Sequence, residues 1–428
     1  MKSFKKSESF SGQKNIAFAE SQMKALLEIR KKFEKEKPLS GVAVGMALHV
    51  TKETAVLVKT LRAGGAKVAI CGCNPLSTQD DVAAALQKEG FAVYAWKGQT
   101  IAEYYQNLNK VIGFLNEQRT TNNEQLATID DGCDLVSEIH KNYKKLIPNI
   151  IVGTEETTTG VIRLRAMEKD NALKYPVIAV NDNKTKHLFD NYYGTGQSTI
   201  DGILRATSIL LAGKRFVVAG YGDCGRGVAK CARGMGAIVI VCEIDPVRAL
   251  QARMDGYEVM KMEDAAKLGD IFVTVTGCRD AITAAHFSKM KNNAILANAG
   301  HMNIEIDTEG LRKIAKKSER IRPCLEKFTL TTNSQRQKTI YLCGEGRLVN
   351  LACAEGHPSE VMSLSFCGQA LALEYGIKNQ GNLATKVHTL PDDIDNQIAN
   401  LQLKAMGIKK DELSQKQKEY LSSWKTGT

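Results

Sequence analysis

Short apolar runs alternate with segments of helical period along most of the chain, and that alternation sets the first expectations. Over 15–37, Ile16, Ala19, Met23, Leu26, Leu27, Ile29 and Phe33 recur at helical spacing and predict an amphipathic helix, stopped by the proline after Lys37. The following stretch reads as strand 42–48, helix 51–64, strand 67–71, helix 78–90 and strand 92–96. This β-α-β-α-β order is that of a parallel sheet covered by helices. Further strand-like runs stand at 127–130, 150–153 and 177–180, and 188–213 reads as one long helix. A second series follows, with strands at 215–219, 238–242, 271–275, 295–297 and 339–342, and then a helix over 360–375.

The expected fold class is therefore α/β, with two doubly wound parallel-sheet domains and a small C-terminal helical appendage. One domain takes residues 1–187 and 351–390. The other, 188–350, is inserted into it, so that two crossings form a hinge, and 391–428 forms the appendage, suited to packing on a neighbouring subunit.

Composition narrows the class. At 428 residues, 43% hydrophobic and 25% charged, the chain can bury large cores unaided. No run reaches the length of a membrane span, and the start MKSFKKSESFSGQ lacks the apolar centre of a secretory signal. The eleven cysteines form no C-x-x-C pair, which fits reduced thiols in a cytoplasmic protein and no metal site. The net charge of +11 sits mostly at the ends: residues 1–40 carry ten Lys/Arg against five Asp/Glu, and residues 401–428 carry six against three. With 6% aromatics and no nucleic-acid module, these read as solvated helix faces, and neither a nucleic acid nor a membrane is expected as partner.

The strongest local motif is Gly220-Tyr221-Gly222-Asp223-Cys224-Gly225, a G-x-G-x-x-G between a strand-like RFVVA and a helix-like RGVAKCARGM. Glu243 ends the next strand, eighteen residues after Gly225. Glycines in this setting let backbone approach a pyrophosphate at a helix N-terminus, and the carboxylate accepts from the adenosine ribose. Glu243 favours NAD over NADP, although Arg248, five residues on, could receive a 2′-phosphate. Polar clusters also gather at predicted strand ends, where open α/β sheets bind ligands. They are His49 with Thr51 and Glu53, Ser77 to Asp80, Asp130-Asp131, Glu155 to Gly160, and Lys186 with Asp190 and Asn191. Each has a plainer explanation: Ser77 to Asp80 could cap a helix, and Lys186 and Asp190 could be an exposed i,i+4 pair.

Over about residues 15–428 the chain resembles the S-adenosyl-L-homocysteine hydrolase family. The most specific pieces are NPLSTQDD, EETTTG, the K-x-x-x-D-N of TKHLFDN, AGYGDCGRG, NAGH and EGRLVNLACAEGHPSE. The resemblance implies reversible hydrolysis of S-adenosylhomocysteine to adenosine and homocysteine. In that chemistry the ribose 3′-hydroxyl is oxidised with tightly held NAD, the C4′ proton is lost and homocysteine leaves from C5′. Water then adds and the ketone is reduced. The resemblance assigns Glu156 to the ribose hydroxyls, Lys186 with Asp190 to O3′, Asp131 to the C4′ proton and His49 to proton traffic at C5′. Asn191 and His301 match positions at the nicotinamide side, and Thr51, Glu53, Thr157 and His357 match substrate positions. Cofactor positions are Thr157, Thr158, Thr159, Gly220, Gly222, Asp223, Gly225, Glu243, Arg248, Thr276, Asn298, Gly300 and Asn350. A homotetramer is implied as well.

Four departures stand out. The chain ends KEYLSSWKTGT where many members carry a lysine- and tyrosine-bearing tail, which places it in a short-tailed branch. Thr195, Arg248 and Glu355 stand where a cysteine, an asparagine and a methionine are common. Some microbial relatives prefer the inosine analogue of the substrate, against which Glu53 argues, because its carboxylate accepts from an exocyclic amine. The competing readings are an S-inosyl-L-homocysteine hydrolase, an NAD-dependent 2-hydroxy-acid dehydrogenase and a non-catalytic regulatory relative.

Overall fold

A computed structural model describes residues 4–331 and 337–425. Strands β1 (Val42–Ala47), β2 (Lys67–Cys71), β3 (Ala92–Tyr94), β4 (Gln125–Asp130), β5 (Ile150–Glu155) and β6 (Val177–Ala179) form the first sheet. Strands β7 (Arg215–Ala219), β8 (Ile238–Cys242), β9 (Glu258–Val259), β10 (Ile271–Thr274), β11 (Ala294–Asn298), β12 (Ala315–Arg322), β13 (Leu325–Thr331) and β14 (Gln337–Cys343) form the second. A last strand, β15 (Val387–His388), returns to the edge of the first.

The strand orders are β15-β6-β5-β4-β1-β2-β3 and β12-β13-β14-β11-β10-β7-β8-β9. Every pairing in the first sheet is parallel. Its central strands are apolar on both faces, as β1 shows with all six residues of VAVGMA buried. Each sheet carries packed cores on both sides, with Val44 and Met46 in one cluster and Ala43 and Ala47 in the opposite one. Strand order reverses between β1 and β4 in the first sheet and between β7 and β10 in the second, so each has a crevice at its carboxyl edge.

Four features differ from the sequence expectation. The segment 15–37 belongs to two helices, Lys6–Gln22 and Lys24–Glu36, broken at the fully buried Met23. A helix over Ile101–Asn122, opened by a capping box between Thr100 and Glu103, fills the stretch after β3. The second sheet extends through an antiparallel β12-β13-β14 ribbon. The helix Asp392–Ala405 is no free appendage: Ile398 is buried in the same core as Leu26 and Leu371. Only the short helix Gln415–Leu421 lies fully exposed in that region. Among the described residues no helix is long and apolar enough to cross a membrane.

The C-terminal helix also holds part of the first domain in shape. Asp395 accepts from the backbone N–H of Lys184 at 2.8 Å, and from the N–H and hydroxyl of Thr185. These bonds anchor the turn Lys184–Lys186 from a carboxylate that is itself buried. Replacing Asp395→Ala leaves those donors unpaired and should cost about 2 kcal/mol. Urea unfolding should show a lower midpoint with an unchanged slope.

Candidate active site

A cavity of about 780 Å³ opens between the carboxyl edges of the two sheets. From the first sheet it takes His49 after β1, Asp131 after β4 and Glu156 after β5. From the second come Gly220 to Cys224 after β7, Glu243 after β8, Val275 and Thr276 after β10, and Gly300 and His301 after β11. The two edges touch. Gly132, at φ +111°, lies so close to His301 that a Cβ there would stand 2.4 Å from Nε2. Only a residue without a side chain permits that approach.

Asp131 lies between two imidazoles. Its Oδ2 is 3.4 Å from His49 Nε2, and its Oδ1 is 3.6 Å from His301 Nδ1. Burial pulls His49 down to about 4, against the attraction of Asp131 and with help from His301 and His357. His49 is therefore a neutral imidazole near neutral pH. Of the stretch Ser77 to Asp80, Gln79 takes the N-cap position of the helix Asp80–Lys88 with no side-chain cap bond, whereas Ser77 contacts His49 Nδ1 at 2.7 Å. Cys73 lies 3.2 Å from the same nitrogen and 3.6 Å from Asp131 Oδ2. Among the described residues His49, Cys73 and Asp131 are the one trio of His, Cys, Asp or Glu ligand atoms close enough to hold a metal ion, all lying within 4.8 Å of one another.

The lysine cluster arises from a local change of helix type. The long helix expected over 188–213 begins as a π-helix, His187–Gly194, before the α-helix Thr195–Thr207. Wider turns of this kind recur at functional sites. Lys186, just ahead of it, reaches both the fourth and the fifth residue on: Nζ is 3.5 Å from Asp190 Oδ1 and donates to Asn191 Oδ1 at 2.9 Å. Asn181 accepts a further bond at 3.2 Å, and Glu156 Oε1 is 3.8 Å away. The pair that could have been an exposed ion bridge is thus buried.

Burial alone would lower the Lys186 ammonium, yet Asp190 and Glu156 outweigh it and the net shift is upward. Burial raises Glu156 to about 7, over the opposing pull of Lys186. Asp190 is held far below the usual carboxylate range: burial acts upward, and Lys186 and His357, whose Nδ1 is 3.3 Å away, overcome it. Ser365 and Gln369 donate to the two oxygens of Glu156, the latter at 2.5 Å. Both sit on the helix Ser359–Lys378 and were missed from sequence, as was Ser359, which donates to Glu53 Oε1 at 2.6 Å. The one local signal was a row of polar residues in an otherwise apolar helix.

At the second sheet the residues fit a dinucleotide. Gly222 has open space, with only Arg248 Nη1 3.5 Å from a Cβ placed there, whereas a Cβ on Gly225 would stand 2.0 Å from Gly220 O. Glu243 holds the turn by accepting from the N–H of Tyr221 at 2.5 Å and of Ile244 at 2.7 Å. Asn350 donates through Nδ2 to Ser198, while its buried Oδ1 has no partner among the described residues and suits an incoming amide donor. Thr51, Glu53, Thr157, Thr158, Thr159, Asp223, Thr276 and His357 also line the cavity.

Two expected cofactor residues do not line it. Gly225 acts by close packing of strand and helix. Asn298 is spent inside the fold, donating to the carbonyls of Gly300, Met302 and Gly346 and accepting from Thr274 and Gly300 N–H. It shapes the loop that presents His301. Glu305, not foreseen, plays a matching part by accepting from Thr276 N–H, Thr276 hydroxyl and Gly277 N–H at 2.7–2.8 Å.

The description S-adenosyl-L-homocysteine hydrolase, NAD binding domain, matches residues 191–356, and S-adenosyl-L-homocysteine hydrolase matches residues 3–151. The S-inosyl-L-homocysteine hydrolase of Methanocaldococcus jannaschii is 56% identical over 417 residues, covering 97% of each chain. The adenosylhomocysteinase of Saccharolobus solfataricus gives the same figures. That of Aquifex aeolicus is 55% identical over 418 residues, again covering 97% of each.

The buried neutral His49 has a consequence for stability. Its folded value lies below the ordinary 6.5, so the unfolded chain binds more protons in between. The native state therefore keeps this contribution above about pH 6.5 and loses it as pH falls towards 4. Chemical denaturation at about pH 7 and about pH 5 should show the wild-type chain losing more stability than His49→Gln.

Proposed function

The chain belongs to the S-adenosyl-L-homocysteine hydrolase family, and from that membership we propose that its cavity hydrolyses S-adenosyl-L-homocysteine reversibly to adenosine and L-homocysteine. The observation that carries the site assignment is the separation of two buried acid–base groups in one cavity. One is Lys186 with Asp190 and Glu156, and the other is Asp131 between His49 and His301. A simple alcohol dehydrogenase needs one such group, and an oxidation followed by an elimination needs two.

NAD, when bound, supplies the reversible oxidation and reduction of the ribose 3′ carbon. Glu156 and Lys186 hold the ribose hydroxyls, with Asn191 and Asn181 fixing the ammonium. Asp190 favours the charged lysine, so the O3′ proton can reach Lys186 only as Lys186 passes its own to Glu156. The raised Glu156 makes that transfer accessible near neutral pH, and the two groups act as one proton-sharing pair. Asp131 takes the C4′ proton once the neighbouring carbon is a ketone. Asp131 can pass that proton through His49, 3.4 Å away, to the leaving thiolate, which returns His49 to its neutral form, ready to take a proton from the water that adds at C5′.

Glu53 supports the adenosyl substrate. Its Oε1 is engaged by Ser359, with Lys52 Nζ 3.4 Å away, and its Oε2 accepts from no described residue. That oxygen suits the exocyclic amine of adenine, whereas the carbonyl of hypoxanthine would face it with like polarity. The NAD-binding unit is taken as 188–350, with 1–187 and 351–390 around the substrate and 392–405 joined to the latter. A cytoplasmic homotetramer completes the reading. The free thiols support the compartment, and exposed Tyr420, Leu421 and Trp424 support packing of the C-terminal end on a neighbour.

Purified protein should release thiol from S-adenosylhomocysteine with no NAD added, and faster than from S-inosylhomocysteine. Preference for the inosyl compound would overturn the role of Glu53, and no thiol from either after NAD is supplied would overturn the activity. Lys186→Met should keep bound NAD and lose at least about a hundredfold in 3′-oxidation.

A further inference from the structure

Eleven cysteines are free, and most are buried where desolvation suppresses ionisation. Burial pushes the thiols of Cys71, Cys133, Cys242, Cys343 and Cys367 upward. Cys324 and Cys353 differ in placement. Cys324 lies in the turn between β12 and β13, and Cys353 follows the short helix Val349–Ala352. The Cys324 thiol donates to Ala352 O at 3.2 Å, and the Cys353 thiol points back at Cys324 O, 3.8 Å away. Each thiol thus reaches the backbone of the other's stretch, and both residues are partly exposed. Lys97 Nζ, from the first domain, donates to the same Ala352 carbonyl at 2.9 Å.

We propose that Cys324 and Cys353 are a peroxide-reactive thiol pair, in which Cys324 is oxidised first and Cys353 resolves it to a disulfide. The neighbouring Cys353 thiol, with Lys97 and Arg320 near, pulls the Cys324 thiol below its ordinary range despite burial; on losing its proton Cys324 gives up its bond to the Ala352 carbonyl, and Cys353 turns its own from the Cys324 carbonyl to the sulfur. The thiolate sulfur attacks the terminal oxygen of a hydroperoxide, the O–O bond breaks, and Cys324 sulfenic acid and an alcohol (or water) form. The Cys353 thiol then attacks that sulfur, the S–O bond breaks and water leaves with the thiol proton. Two thiols are oxidised and one hydroperoxide is reduced.

The disulfide would tie the ribbon turn to the chain stretch that leaves the second domain for the first. That stretch bears Asn350 and His357, which line the cavity, and Glu355, which bridges Lys52 and Arg205 at 3.0 and 3.2 Å. Turnover in the disulfide form should therefore slow. This last point rests on the proposed activity, whereas the oxidation itself does not.

The test treats the intact protein with one equivalent of hydrogen peroxide per chain, removes the excess, and counts thiols under denaturing conditions. The count should fall from eleven towards nine, with a Cys324–Cys353 cross-linked peptide by mass spectrometry and recovery on dithiothreitol. Cys353→Ser should instead leave a sulfenic acid at Cys324 that dimedone traps, and Cys324→Ser should leave Cys353 unmodified. Oxidation at the exposed Cys278 in place of Cys324, or no loss of thiols, would overturn the pair. Adenosine formation should drop about fivefold in the oxidised protein and return on reduction. A disulfide with unchanged turnover would overturn its coupling to the cavity.

Discussion

A lysine ammonium withdrawn from water must be compensated on every side, and the chain assembles that compensation around Lys186 from distant segments. Asp190 and Asn191 come from the π-helix that follows it, Asn181 from the turn just after β6, and Glu156 from the residue just after β5. Glu156 is in turn held by Ser365 and Gln369 on the helix Ser359–Lys378, and the backbone of the lysine turn is anchored by Asp395. Each partner is needed by the next. Removing any one leaves a buried charge or donor exposed to a medium that cannot solvate it. The division of the chain into two sheets with facing carboxyl edges is what allows this cluster and the His49–Asp131–His301 group to share one cavity.

That sharing explains how one site can run two kinds of proton transfer. The environment pushes titrating groups in opposite directions: Glu156 up, Asp190 down, His49 down. Groups separated in this way can hold distinct protonation states at one pH, which is the condition for oxidation at one carbon and elimination across its neighbour. The contact of Gly132 with His301 joins the facing edges of the two sheets beside the cavity.

What could be read from the sequence was local. The fingerprint from Gly220 to Gly225, the carboxylate of Glu243 just after β8 and the polar residues at strand ends follow from short-range rules, and so do the first sheet and the parallel part of the second. Contacts that depend on distant chain were not legible. Ser365 and Gln369 meet Glu156 across more than two hundred residues, and the row of polar residues in their helix does not tell which partner they meet. Asn298 stands in a motif that the resemblance assigns to the cofactor, while its side chain makes five bonds to its own loop, to Thr274 and to the turn at Gly346. The π-helix escaped because a change from four- to five-residue bonding leaves hydropathy unaltered. Burial of Ile398 in the first core depends on where the C-terminal helix lands, which its own pattern does not state.

The central claim is that Asp131 acts after Lys186, on a different proton of the same ring. Mixing Asp131→Asn with S-adenosylhomocysteine, while following the near-ultraviolet absorbance of reduced nicotinamide and thiol together, tests it most directly. The account predicts that the bound cofactor is reduced in the first turnover and stays reduced, with no homocysteine released. Wild-type thiol release from this variant would remove Asp131 from the elimination, and a cofactor that is never reduced would place Asp131 in the oxidation and contradict the separation of the two groups.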